Sequence, residues 1–372
     1  MLENLMALKP KLGFGYMRLP QVDGKIDIAA ANRMVDAFLS YGFTYFDTAY
    51  SYPSAEEALR ESLVKRYKRD RFEIATKLYI PNINKPEQQR EHFETSLARL
   101  GVDYIDFYLI HDLFGSTIDK AYELNTWEFM RRLKKEGYVK HIGFSFHGTA
   151  EELDGVLSRN PEMEFLYLQI NYLDWDDRRI QSRLCYEVAR KYKKPIIVME
   201  PAKGGLLAGD TSEAAILLKK ANLVASAASW AFRFAGGLEG VTTVLSGMGT
   251  LEQLNDNANT FLKFKHLTQE EKEKLNEAVS IINSIPRIPC TYCKYCVPHC
   301  PLNLWIPQII EDYNDFLAHG TIDCLKFKYK VTMMEASGSQ MKNCIKCRKC
   351  EQHCPQHINI SDILQKMSEQ LD

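Results

Sequence analysis

IDFYLI (Ile105–Ile110), DKAYELNTWEFMRRLKKE (Asp119–Glu136) and HIGFS (His141–Ser145) follow one another and read as strand, helix and strand. The first and third stretches are short and rich in Ile, Leu, Phe and Tyr, as parallel strands buried on both faces are. The middle stretch is long enough to cross back over a sheet, and Gly137 stops it. The same alternation extends in both directions. Apolar runs recur at Lys11–Arg18, Phe43–Thr48, Phe72–Leu78, Leu166–Asn171, Pro195–Glu200 and Val241–Ser246. Helical patterns lie between and after them at Ile28–Ser40, Glu56–Lys68, Pro86–Leu100, Ala150–Leu157, Asp177–Tyr192, Ala221–Ala235 and Leu251–Phe261. An open doubly wound sheet is also built from such units, but eight of them in about 260 residues favour a closed (β/α)8 TIM barrel.

The cysteines divide the chain. Cys185 stands alone, and the other nine of the ten lie between Cys290 and Cys354. A helix over Thr268–Asn283, with Thr268 as N-cap and Glu271 three residues later, precedes them. Two prolines in Ser284-Ile285-Pro286-Arg287-Ile288-Pro289 then stop the helical pattern. The expected division is a barrel over 1–285 and a small second domain over 286–372.

Of the 372 residues, 45% are hydrophobic and 26% charged, the balance of a soluble globular protein. A net charge of −1 supplies no field that would draw the whole chain to nucleic acid or an anionic membrane. The N-terminal stretch MLENLMALKPKLGFGYMRLP lacks the basic stretch, apolar core and small-residue cleavage site of a secretory leader. The longest uncharged apolar stretch, Ala221–Phe232, is shorter than the roughly 18–20 residues of a membrane span. These features predict a cytoplasmic protein whose thiols stay reduced.

Barrels of this kind place their chemistry at the C-terminal ends of the strands. There the sequence puts Asp47, Lys77, His111, Ser145 with His147, Gln169 with Asn171, Glu200 and Ser246. Phe46-Asp47-Thr48-Ala49-Tyr50-Ser51-Tyr52, Ala75-Thr76-Lys77 and Leu109-Ile110-His111 end the second, third and fourth strands. In that order they resemble the aldo-keto reductase family, and the resemblance covers essentially the whole barrel. It implies a tetrad in which Tyr52 is the general acid for carbonyl reduction. A free tyrosine has a pKa near 10. Lys77 would favour its phenolate, Asp47 would hold Lys77 charged, and His111 would orient the carbonyl or relay a proton. The implied substrate is a small carbonyl or alcohol, and the implied cofactor NADP or NAD. Tyr50 competes with Tyr52 for the acid role, and the spacing from Asp47 favours Tyr52.

The same resemblance implies nucleotide contacts, with departures. Gln169 resembles the glutamine that bonds the nicotinamide amide. Gly143-Phe144-Ser145-Phe146-His147 keeps the serine of the family's segment, Ser145, and loses the asparagine after it. Met199 stands where many members have the aromatic that stacks on the nicotinamide. Ser246, Gly247 and Asn257 resemble the segment holding the adenosine phosphate, and Gln253 replaces the arginine that often reads the 2′-phosphate. The choice between NADP and NAD stays open. His147, Glu200 and Lys203 are further polar groups expected near the mouth.

Cys290-x2-Cys293-x2-Cys296-x3-Cys300-Pro301 and Cys344-x2-Cys347-x2-Cys350-x3-Cys354-Pro355 are two copies of the bacterial ferredoxin run. Three cysteines at three-residue steps hold three irons of a cubane, and the cysteine before proline reaches the other cluster. Two [4Fe–4S] clusters are expected, one on Cys290, Cys293, Cys296 and Cys354, the other on Cys344, Cys347, Cys350 and Cys300. Structural zinc also uses C-x2-C pairs but has no use for a third cysteine at the same step. Helical stretches at Ile306–Ala318 and Ser361–Met367 make the second domain resemble a mostly helical ferredoxin-like module. His299, His353 and His357 lie near the cysteines, and Cys185 and Cys324 read as small buried hydrophobes.

Clusters move single electrons and a nicotinamide moves two as a hydride. The combination therefore suggests a ferredoxin-type electron-transfer partner, or a flavin to bridge the mismatch. Three readings follow: a carbonyl/alcohol oxidoreductase coupled to the clusters; a flavin- or nicotinamide-linked electron-transfer protein; and a redox sensor with a non-catalytic barrel.

Overall fold

The computed structural model describes residues 11–319, 322–335 and 340–371. The first ten residues of the N-terminal stretch read above and the side chain of Cys324 lie outside the described residues. Two compact units are present. One comprises Met1–Ala202 with Asn222–Lys272, the other Lys203–Ala221 with Glu273–Asp372. The segment 286–372 lies within the second unit, which also takes in 203–221 and 273–285.

The first unit is built on eight parallel strands: β1 (Lys11–Gly15), β2 (Tyr45–Asp47), β3 (Glu73–Tyr79), β4 (Ile105–Leu113), β5 (Val139–Phe146), β6 (Phe165–Gln169), β7 (Ile196–Met199) and β8 (Val241–Ser246). Each pairs with the next, and β8 closes on β1 with Phe14 opposite Ser246. This is the expected (β/α)8 barrel. Side chains alternate along a strand, and both sides are buried. Leu166 and Leu168 face outward into the layer beneath the helices, with Phe14, Phe46, Ile110, Phe144 and Val198. Phe165 and Tyr167 face the barrel interior with Tyr45, Ala75, Leu109, Ile197 and Leu245. That double burial is why the strands read as unbroken apolar runs.

The helices depart from expectation at three polar residues. The pattern over 119–136 is two helices, Ser116–Glu123 and Thr126–Lys135. They break at Asn125, whose φ of 52° is a left-handed conformation that asparagine tolerates. The pattern over 221–235 is likewise divided. Ser226 Oγ accepts from Ser229 N at 3.1 Å and starts a new helix, Ala227–Gly236, after Glu213–Ala221. Asp177 caps a turn instead of entering the next helix, accepting from Arg179 N, so that helix begins at Ser182. The capping box at Thr268 is formed: Glu271 N donates to Thr268 Oγ1 at 3.1 Å and Thr268 N donates to Glu271 Oε2 at 2.9 Å.

Among its described residues the second unit contains helices and no strand. Ile306–His319, Ile322–Glu335 and Ile360–Leu371 surround a core of Leu304, Ile306, Ile309, Ile310, Leu364 and Met367, with Cys296, Cys300, Cys350 and Cys354 buried in it.

Strand β5 has no room for a side chain at Gly143, where a Cβ would lie 2.4 Å from the Phe165 carbonyl oxygen of β6. Gly143→Ala is expected to cost about 1–3 kcal/mol or more, because the obstacle is backbone. Urea denaturation followed by circular dichroism measures it, and an unchanged midpoint would show that β5 and β6 can separate at no cost.

Candidate functional site

The strand parity that fills the barrel interior also builds its mouth. Tyr45 and Asp47 share one parity on β2, Ala75 and Lys77 on β3, Leu109 and His111 on β4, and Tyr167 and Gln169 on β6. Apolar residues occupy the deeper layers and polar ones the C-terminal ends. Lys77 Nζ donates to Asp47 Oδ2 at 2.7 Å and to the Thr48 carbonyl at 2.6 Å. It lies 4.8 Å from the centre of the Tyr52 ring. The His111 ring meets the Tyr52 ring edge-on at 5.8 Å, and Ser51 Oγ is 3.4 Å from His111 Nδ1. Asp47, Tyr52, Lys77 and His111 are thus brought together. Tyr50 is elsewhere, stacked on His92 at 4.1 Å with the Arg99 guanidinium over its ring.

Two tyrosines missed in the sequence complete the buried pair. Tyr167 OH donates to Asp47 Oδ1 at 2.9 Å, so the 2.7 Å bond between the two hydroxyls has Tyr45 donating to Tyr167. The signal available was parity: each lies two residues before a polar strand-end residue. Burial disfavours the Lys77 ammonium, but the Asp47 carboxylate and the Tyr52 hydroxyl more than offset it, and the lysine pKa ends above its ordinary value. His111 goes the other way. Burial, then the charges of Lys77 and His147, hold its pKa well below the ordinary value, so its ring is neutral at pH 7.

Asp112 was also missed. Its side chain is fully buried, its φ is 67°, and neither carboxyl oxygen has a hydrogen-bond partner among the described residues. Burial pushes its pKa up to about 7. Its backbone N–H donates to Ser145 Oγ at 2.9 Å.

The other expected contact residues fall into separate groups. Gln169 Nε2 and Asn171 Nδ2 both donate to Asp174 Oδ2 at 2.8 Å, which holds the two amides side by side. Met199 ends β7 half-buried, level with Gln169. Ser246 has the outward parity of Val244 and accepts from Asn257 Nδ2 at 3.0 Å. Gly247 lies against the Arg18 side chain. Gln253 turns back to its own loop, accepting from Gly249 N at 2.8 Å. His147 follows β5, with its N–H donating to the Leu113 carbonyl at 3.0 Å. Glu200 follows Met199 at a φ of 55°. Lys203 belongs to the second unit, where its buried Nζ donates to Gln356 Oε1 at 3.3 Å.

The cysteines of the second unit line two small cavities. Cys290, Cys293, Cys296 and Cys354 line one, with Ile306, Ile310 and Ile358. Cys344, Cys347, Cys350 and Cys300 line the other, with Leu302, Leu304 and Leu364. Each set takes three cysteines from one run and the proline-linked cysteine of the other. Among the described residues no group of three or more His, Cys, Asp or Glu side chains closes on a point that would hold one metal ion. Thiols around an apolar volume suit a cubane, whose irons are spread over its corners, better than a tetrahedral zinc. His299 and His353, each preceding a proline-linked cysteine, stack face to face at 3.5 Å. Cys185 is buried in the barrel unit, as expected.

A family model described as "Aldo/keto reductase family" matches residues 11–280, and one described as "4Fe-4S dicluster domain" matches residues 289–358. The aldo-keto reductase str7 of Strobilurus tenacellus is 31% identical over 216 residues, covering 55% of this chain and 61% of that protein. The chain spans about half to three-fifths of the length of the curated relatives it matches. Among solved structures, an aldo-keto reductase from Bacillus halodurans in its holo form superposes with a TM-score of 0.58 at 24% identity, covering 72% of this chain and 91% of that one. One from Klebsiella pneumoniae in complex with NADPH gives 0.59 at 21%, with 72% and 90% covered. At these identities the structural likeness concerns the fold. No helix among the described residues is long and apolar enough to cross a membrane.

The buried carboxyl of Asp112 sets a pH dependence. Its folded-state pKa, about 7, lies above the unfolded value of 3.8. Its contribution to stability is therefore full below about pH 4 and lost as pH rises to 7, at about 1.4 kcal/mol per pH unit. Asp112→Asn, which mimics the protonated form, is expected to match the wild type at pH 4 and exceed it in stability at pH 8. Urea midpoints at the two pH values measure this, and a gap independent of pH would contradict it.

Proposed function

The chain belongs to the aldo/keto reductase family and carries a 4Fe–4S dicluster domain; on that premise we propose that it is an oxidoreductase of a small carbonyl/alcohol pair, using NADP or NAD and two [4Fe–4S] clusters. The observation that carries the reading is the buried Lys77 ammonium, held by Asp47 at 2.7 Å against the Tyr52 ring. A nicotinamide bound at the strand ends would supply or accept the hydride. Tyr52 then gives its hydroxyl proton to the carbonyl oxygen, and Lys77 stabilises the phenolate left behind. Asp47 keeps Lys77 protonated and fixed in place, and the Tyr167 hydroxyl satisfies the second carboxylate oxygen. His111, being neutral, donates a hydrogen bond to the substrate oxygen without adding a second positive charge. Gln169 and Ser145 at the β6 and β5 ends, and Ser246, Gly247 and Asn257 after β8, are the proposed nucleotide contacts. Gln253, turned into its own loop, leaves the discrimination of a 2′-phosphate to other groups.

In the second unit, Cys290, Cys293, Cys296 and Cys354 would hold one cluster and Cys344, Cys347, Cys350 and Cys300 the other, each inside an apolar cavity of matching donors. Such clusters exchange single electrons, here with a ferredoxin-type partner. Met199 in the aromatic's place favours a second reading, in which a flavin converts between one and two electrons. Flavin fluorescence in the purified protein discriminates the two.

Anaerobic addition of NADPH, then NADH, tests the reading, with the clusters followed by EPR and visible bleaching. Reduction would join barrel and clusters in one electron path. If nucleotide binds and the clusters stay oxidised, the coupling is wrong. Tyr52→Phe is expected to lower carbonyl turnover by about 10²–10⁴-fold with nucleotide affinity retained, and turnover within twofold of wild type would remove Tyr52 from the acid role. Cys354→Ala is expected to lose the cluster held by the first cysteine run, seen as about half the iron per chain; loss of the cluster on Cys344, Cys347 and Cys350 instead would contradict the crossed ligation.

A further inference from the structure

The two cysteine runs have one spacing and different surroundings. Between its cysteines the first run carries one cation, Lys294, beside Tyr292 and Tyr295. The second carries Lys346, Arg348 and Lys349, with Lys342 just before it and Ile345 within it. Their burial differs as well. Thr291 is buried, and Tyr292, Cys293 and Tyr295 are half-buried. Part of the cover comes from the chain segment at 203–205. Gly204, at a φ of 66°, packs so closely on Thr291 that a Cβ there would be 2.7 Å from the Thr291 carbonyl oxygen. Beside it, buried Lys203 donates to Gln356, which lines the first cavity. In the second run every residue from Ile345 to Lys349 is exposed, Cys347 included, and Ile345 is 63% exposed.

The cations there are poorly neutralised. Among the described residues Lys342 and Lys349 enter no ion pair, and Lys346 donates to the neutral amide of Gln365. Arg348 alone has carboxylate partners, Asp362 at 3.2 Å and Glu351 at 3.8 Å. An exposed isoleucine ringed by solvated lysines has the make-up of a small transient interface, with an apolar centre and a charged rim. The basic rim calls for an acidic surface, and the exposed cysteine brings the edge of the cavity within reach of it. Like-charged partners would be turned away.

We propose that the cavity ringed by Cys300, Cys344, Cys347 and Cys350 is the electron port of this protein, and that an acidic one-electron carrier protein docks on the Lys342–Lys349 loop to use it. This rests on the reading that the cavities hold clusters and exchange electrons with a partner. In each encounter one electron leaves the reduced carrier and enters the cluster, with no bond formed or broken. The first cavity, whose loop is half-buried around Thr291 and carries a single cation, does not serve external carriers.

The test uses the full-length holoprotein under anaerobic conditions and a small acidic 2[4Fe–4S] ferredoxin as probe. Binding of the oxidised probe is followed by calorimetry, and electron transfer from the reduced probe by stopped-flow bleaching. Lys342→Glu/Lys346→Glu/Lys349→Glu is expected to keep its iron content and visible spectrum. Its second-order rate constant at low ionic strength should fall at least about tenfold, with affinity falling in parallel, and the gap should close near 1 M salt, where charges are screened. Lys349→Glu alone, the milder variant should the triple one fail to load iron, should lose about threefold. Lys294→Glu, at the first cavity, should change neither quantity. Wild-type rates in the triple variant with a slowed Lys294→Glu would overturn the port while leaving the partner reading in place. A wild-type protein that neither binds nor is reduced by the carrier, yet is reduced by photochemically generated deazaflavin radical, would instead remove the partner reading and the port with it.

Discussion

Lys77 and Asp47 are buried together at the mouth of the barrel, and neither side chain would be tolerated there alone. Removing one partner of such a pair costs about 3–5 kcal/mol, because the other is left charged and dry. Much of the surrounding structure satisfies this constraint. Thr48 turns its carbonyl to the ammonium, and Tyr167 gives its hydroxyl to the second carboxylate oxygen. Tyr45 in turn serves Tyr167. The chain Tyr45–Tyr167–Asp47–Lys77 spans three strands and ties their C-terminal ends into one network. Tyr52 lies over the charge so held, and His111 is kept neutral partly by it. The electrostatics of the proposed active site follow from a single lysine that the barrel must keep protonated.

The second unit meets a different constraint. Eight cysteines line two volumes rather than two points, in a crossed arrangement. Each proline-linked cysteine comes back to the other run's cavity, and the stacked His299 and His353 rings mark the place where the two returns pass each other. The apolar lining from Ile306, Ile310, Leu304 and Leu364 makes the cavities part of a hydrophobic core of the unit. The cysteine-lined cavities and the core are thus one structure, and the helices on either side of the cysteine runs supply both.

Much of the fold was legible because its causes are local. Eight strands buried on both faces leave eight apolar runs, and the barrel followed from counting them. The helical readings failed where the backbone turned left-handed, at Asn125, or where a polar side chain bonded the backbone, at Asp177 and Ser226, since a periodic pattern continues across a break of one residue. The polar strand-end residues were legible through their place in the chain. Tyr45, Tyr167, Asp112 and Asp174 were not, because a tyrosine inside an apolar run looks like core until its hydroxyl is seen to have a partner. The bond from Lys203 to Gln356 within the second unit, across more than a hundred residues of chain, is one that nothing local announces.

The sequence by itself determined the eight strand–helix units, the run of polar residues at strand ends and the two cysteine patterns, because each depends on spacing along the chain. Tertiary structure alone decided which atoms meet. It set Tyr50 on His92, gave Asp47 its second donor, left the Asp112 carboxyl buried without one among the described residues, and half-buried the first cysteine loop while exposing the second. Those outcomes depend on closing the barrel and folding the second unit, which bring together residues far apart in sequence whose pairing has no period to betray it.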